Sequence, residues 1–231
     1  MRKITINLAA VAAFCIVVAS PALVSSSCAT PKTEQEDTTI IREDSGITAL
    51  KYSSPEVPAS IEFCGKTIDL SRFDRHERMD RELLAFTYMH STSLQMLKKA
   101  NRYFPIVEPI LKENGIPDDF KYLMVIESNM NPTARSSAGA AGLWQFMQGT
   151  GRDYGLEVNN NVDERYHIEK ATRAACRYLK DAYAKYKDWV AVAASYNAGQ
   201  ARIASQLAKQ DVDDSLDLQL VEETARYVYR I

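Results

Sequence analysis

The 231-residue chain has little net charge, since 28 Lys and Arg stand against 30 Asp and Glu for a formal balance of -2. No strong attraction to nucleic acid or acidic lipid follows, and no basic stripe interleaved with aromatics is present, so a nucleic-acid partner is not expected. Histidine and cysteine are scarce. His76, His90 and His167 are scattered, and no pair among Cys15, Cys28, Cys64 and Cys176 has metal-ligand spacing, so no metal site is expected. Long hydrophobic runs are missing too: Leu8 to Ala19 is mainly apolar but too short for a membrane span. The absence of an internal repeat removes solenoids and propellers.

What remains is an ordinary globular composition, 46% hydrophobic and 25% charged, with room for one helical domain and an N-terminal extension. Residues 1–28 read as an export signal: Arg2 and Lys3 precede the apolar run, and small residues follow it. Cys28 offers a second reading, a lipid-modified cysteine, although the serines before it lack the usual large aliphatic residue. Residues 29–58 are polar and acid-leaning, a flexible linker. Residues 59–79 form a short hairpin extension, from the alternation around Cys64-Gly65-Lys66. Cys64 and Cys176 are open to two readings, a bridge in an oxidising compartment or two buried thiols.

Residues 80–231 carry helical periodicity almost throughout. The spacing predicts a helix from Asp80 to Tyr103, with Leu83, Phe86, Thr87, His90, Leu94 and Leu97 on its buried stripe and His90 as a packed histidine. Phe104 to Asn114 is expected as a separate helix, with Pro105 in its first turn and Gly115 as its stop. Ile168 to Lys187 carries a stripe of alanines and tyrosines, and Trp189 to Tyr196 is nearly all apolar. Gln200 to Lys209 and Leu218 to Arg230 complete an all-α set.

The chain is organised around Ile116 to Met147. Asp118 is expected as a helix N-cap. The apolar positions Phe120, Leu123 and Met124 are continued by Glu127, which therefore takes the place of a core residue. Burial and the negative end of the helix dipole both disfavour its charged form. A carboxyl held protonated near neutral pH suits a general acid, and equally a buried glutamate satisfied by an arginine or by backbone donors. The following loop is rich in small residues, and its Trp144 and Phe146 suit either sugar rings or the core.

Glu127-Ser128, Asn131-Pro132, Ser136 and the run Gly139 to Met147 resemble the lytic transglycosylases of glycoside hydrolase family 23. The runs at 151–156 and 162–165, Ser195-Tyr196-Asn197-Ala198-Gly199, and Glu223 to Val228 continue the likeness in order, over about residues 80 to 231. The resemblance implies a lysozyme-like helical domain acting on peptidoglycan glycan strands, as a monomer without cofactor. It implies residence in the periplasm, or at the outer membrane if Cys28 is lipidated. It implies Glu127 as the catalytic acid and then base, and Ser136, Gln145, Met147, Tyr196, Asn197 and Glu223 as substrate-binding residues. Two alternatives share the pattern, a lysozyme-like hydrolase and an inert cell-wall-binding protein. The chain departs from the family at Met130, Gln148 and Ser195, none of which removes a reactive group.

Overall fold

The computed structural model describes residues 53–212 and 214–231. The expected export signal, Cys28 and the linker up to residue 52 lie outside the described residues. From Val57 to Ile231 the chain forms one compact unit. It opens with the expected hairpin, β1 (Ser60–Phe63) and β2 (Lys66–Asp69), paired antiparallel with Phe63 opposite Lys66. Cys64 and Gly65 make the turn with φ of 52° and 77°. The hairpin is anchored where the Cys64 amide donates to Asp119 Oδ2 at 3.0 Å and the Phe63 ring meets Phe120 at 5.9 Å. Asp119 thus binds the hairpin. Asp118 is not an N-cap: it begins a short 3-10 turn, Asp118–Phe120, without a capping bond from its side chain.

Two helices follow, and their boundaries correct the expected ones. The first, α1, runs Phe73–Tyr88, and α2 runs His90–Glu113. The break at Met89 resets the helical phase, and the Ser93 hydroxyl donates to the carbonyl of Phe86 across it. His90 is consequently exposed at the head of α2, and Leu94 and Leu97 are 62% and 47% exposed rather than buried. The buried face of α2 is Ser93, Met96, Tyr103, Val107, Ile110 and Leu111. Pro105 and Pro109 lie inside α2 and not at a new helix start. Both face solvent, so water can take up the carbonyls whose helical partners they remove.

Helix α3 (Lys121–Ser128) completes the central stretch, and a short α4 (Gln148–Asp153) follows the glycine-rich loop. Helices α5 (Ile168–Tyr186), α6 (Trp189–Ala198) and α7 (Gln200–Lys209) match the periodicity closely. The last helix, α8, is Glu222–Arg230; residues 218–221 lead into it outside the helix. The buried centre is α6, whose residues Val190 to Ser195 are all inaccessible and which packs on α5, α7 and α8. The alanines of α5 are buried and let its neighbours approach closely. Tyrosines of α5 serve this packing: Tyr178 and Tyr186 donate to the carbonyls of Ser195 and Gln200, and Tyr183 stacks on Trp189 at 4.0 Å. Cys64 and Cys176 are free thiols, and burial pushes Cys176 up to about 11, an unreactive state.

One buried polar bond ties the central loop to α5. The Trp144 indole N–H donates to the Thr172 hydroxyl at 3.0 Å, and that hydroxyl donates to the carbonyl of Ile168. Replacement of Thr172 by the isosteric valine strands the indole donor in the core. Thr172→Val is expected to cost about 1–3 kcal/mol of unfolding free energy, measured by urea denaturation, with the helical circular dichroism retained.

Candidate active site

The site begins with the end of α3. Phe120, Leu123 and Met124 are fully buried, and Glu127 follows on the same stripe in the last turn. The helix stops because Asn129 and Met130 adopt left-handed conformations, with φ of 50° and 51°. Their amides donate to Val125 and Met124 carbonyls, closing the helix end. Ser128 donates to the carbonyls of Met124 and Leu143, which fastens the glycine-rich loop against this end.

The loop is rigid by construction. Arg165, 4% exposed, donates through Nη1 to the carbonyls of Gly139 and Phe146 at 2.8 and 2.9 Å, and its other nitrogens are held by Asp163. Tyr196 of α6 donates to the carbonyl of Trp144 at 2.8 Å. The loop is thus fastened to the end of α3, to α5 and to α6.

Glu127 lies largely buried, with Tyr227 of α8 donating its hydroxyl to Oε1 at 2.6 Å. Loss of hydration raises the carboxyl's pKa above the usual carboxylate range. The Tyr227 bond and the charge of Arg230 pull it down, and the charge of Glu223 pushes it up. Burial dominates, so the site disfavours the carboxylate relative to a solvated glutamate. Tyr227 and Tyr196 are themselves raised well above an ordinary phenol, first by burial and then by the charge of Glu127, so both remain hydroxyl donors.

Not all of the expected binding residues converge on this carboxyl. Tyr196 and Glu223 lie within its electrostatic reach. Asn197 accepts a bond from the Thr224 hydroxyl at 2.8 Å and so links α6 to α8. The hydrogen bonds of Ser136 and Gln145 close on the loop itself: Ser136 Oγ accepts from the Ala140 amide, and Gln145 Nε2 donates to the carbonyls of Gly142 and Ala134. Ser136 is exposed, and Met147, 45% exposed, stands at the head of α4. Glu223 is exposed on the first turn of α8. A concavity of about 370 Å³ between Arg72, Arg78 and residues 216–220 does not include Glu127.

Tyr227 is the residue that sequence reasoning missed. It lies four positions after Glu223 in the Glu223 to Val228 run, a segment in which the sequence analysis names only Glu223 as a site residue. An acidic residue suggested chemistry; a tyrosine on an amphipathic helix suggested core. Tyr227→Phe is expected to remove the bond that favours the ionised carboxyl. Glu127 then stays protonated to higher pH, and the alkaline limb of the pH–rate profile moves upward. A profile of initial rates against pH for both proteins checks this.

A helical domain built around one sequestered glutamate, closed by a tyrosine from its last helix, is the class of molecule that these features define. Residues 105–217 match the Transglycosylase SLT domain family. Over 157 residues the chain is 31% identical to membrane-bound lytic murein transglycosylase D of Escherichia coli, covering 66% of this chain and 34% of that protein. It is 33% identical over 95 residues to the peptidoglycan transglycosylase of Escherichia phage T7, covering 40% of this chain and 7% of that one. A solved structure of an inactive mutant of the lytic transglycosylase Slt from Pseudomonas aeruginosa aligns with a TM-score of 0.49 at 19% identity, over 66% of this chain and 29% of that one. The chain thus spans about a third of the length of its E. coli relative.

Proposed function

We propose that the protein is a peptidoglycan lytic transglycosylase that cleaves the β-1,4 bond between N-acetylmuramic acid and N-acetylglucosamine. The observation that carries this reading is the largely buried Glu127 carboxyl, bonded to Tyr227, inside the segment that matches the SLT family. The protonated Glu127 gives its proton to the bridging oxygen as that oxygen leaves the muramoyl C1. The carboxylate so formed accepts the proton of the C6 hydroxyl of the same sugar, whose oxygen bonds to C1. The product is a 1,6-anhydromuramoyl end. No water is consumed, and Glu127 returns to its starting state. One carboxyl serves both steps because nucleophile and electrophile belong to one ring and need no second catalytic acid.

In this reading Ser136, Gln145, Met147, Tyr196, Asn197 and Glu223 bind the glycan around Glu127. Tyr227 keeps the carboxyl oriented through both proton transfers. The 80–231 segment is the catalytic domain, exported to the periplasm or held at the outer membrane. The E. coli relative is named as membrane-bound; among the described residues here no helix is long and apolar enough to cross a membrane. Digestion of purified sacculi followed by mass spectrometry tests the reaction. Released muropeptides are expected to end in the anhydro sugar, one water lighter than hydrolysed ends. Hydrolysed ends would identify a lysozyme-like hydrolase, and the release of no muropeptide would identify an inert cell-wall-binding protein.

A further inference from the structure

The ends of the compact unit meet beside the site, outside the residues that match the SLT family. Helix α1 packs against α8, the helix that carries Tyr227 to Glu127. Ion pairs cross this contact. Arg81 pairs with Glu222 at 2.6 Å, and the next residue of α1, Glu82, faces two arginines further along α8. Glu82 accepts from Arg226 Nε, and the Nε of Arg230 lies 3.8 Å from its other oxygen. Glu82 is only 9% exposed, against 27% and 44% for the side chains of Arg226 and Arg230.

Arg226 and Arg230 are four residues apart and share one side of α8, and Tyr227 lies between them in sequence. The same guanidinium of Arg230 that faces Glu82 also acts on Glu127. The groups around Glu127 are Tyr227, Arg230 and Glu223 from α8 and Tyr196 from α6. Arg230 is the one cation among them, and its buried counter-charge comes from α1. A carboxylate with little solvent around it binds a guanidinium more firmly than an exposed one does, because screening is weak there.

We infer that Glu82 is a positioning residue: it holds the Arg230 guanidinium on the α1 side of α8 and so limits how strongly that cation acts on the carboxyl of Glu127. Without Glu82, Arg230 loses its buried counter-charge and acts more strongly on the Glu127 carboxyl, whose ionised form it stabilises. The protonated acid is then lost at lower pH than in the wild-type protein. The effect of Glu82 on catalysis therefore rests on the reading of Glu127 as the acid, whereas its effect on Glu127's proton does not.

Two readouts separate these. The first follows the Glu127 carboxyl by carbon-13 NMR against pH in labelled protein without substrate, assigned with Glu127→Gln. The second is the pH–rate profile on sacculi. In Glu82→Gln, both the titration and the alkaline limb are expected to move to lower pH. In Arg230→Gln, where the changed side chain is 44% exposed and folding is retained, both move to higher pH. In the double variant the downward shift of Glu82→Gln disappears. A Glu82→Gln protein that is slower by one factor at every pH, with the titration unmoved, overturns the inference and leaves Glu82 a structural ion pair. An unmoved titration in Arg230→Gln overturns it as well, independently of how well Glu82→Gln folds. Shifted titrations, with no anhydro product from the wild-type protein, support the coupling and overturn the proposed reaction instead.

Discussion

Glu127→Gln is expected to lower the release of anhydromuropeptides from sacculi by roughly 10²–10⁴-fold or more while leaving the fold intact. The amide has the size of the acid and can still accept from Tyr227 through its oxygen. It cannot give up a proton to a leaving oxygen. Because the side chain is largely buried and its charged form is disfavoured there, a neutral replacement removes no stabilising ion pair. The thermal midpoint is therefore expected to stay within a few degrees of wild type, and differential scanning calorimetry beside the muropeptide assay checks both halves. Loss of activity accompanied by loss of the folding transition would assign Glu127 a structural role.

The largest expected effect on stability comes from Gly142. Its φ is +78°, and a Cβ added there would lie 1.9 Å from the carbonyl oxygen of Arg165. The obstacle is backbone on both sides, so relief requires moving either the central loop or the turn at 164–166. Arg165 resists that movement, because its own side chain ties Gly139 and Phe146 to Asp163. Gly142→Ala is expected to cost about 3 kcal/mol or more, and Gly149→Ala is the control. Gly149 lies in α4, and a Cβ there meets nothing within 4 Å. The control should be neutral or slightly stabilising, since alanine has the better helix propensity. Urea denaturation of both variants measures the difference.

Local patterns carried most of the fold. The alanine and tyrosine spacing of α5, the apolar run of α6 and the alternation of the hairpin each describe an element that buries its own face. The stripe ending in Glu127 was readable for the same reason, because three apolar residues set the phase and the fourth broke it. The junction of α1 and α2 was not readable. Leu83, Phe86, Leu94 and Leu97 keep helical spacing across Met89, and only the tertiary bond from Ser93 to Phe86 reveals where the phase resets. Pro105 misled in a similar way: it suits a first turn, but on the solvent side of a long helix it is also tolerated.

The site was legible as far as its motifs were local. Glu127 could be singled out from its own neighbourhood, and Tyr196 and Asn197 from the family resemblance of the run Ser195 to Gly199. Tyr227 is 100 residues from the carboxyl that it touches, and Glu82 is 144 residues from Arg226. No period links such residues. Their roles come from the way α1 and α8 close beside α3, a matter of packing between helices rather than of any one helix.

The central claim is that the oxygen replacing the glycosidic bond comes from the sugar's own C6 hydroxyl, with Glu127 moving both protons. Digestion of sacculi in water enriched in oxygen-18 tests it most directly. Anhydromuropeptides carrying no heavy oxygen are the expected result. Reducing-end muramic acid labelled at C1 would mean that water makes the attack, and would contradict it.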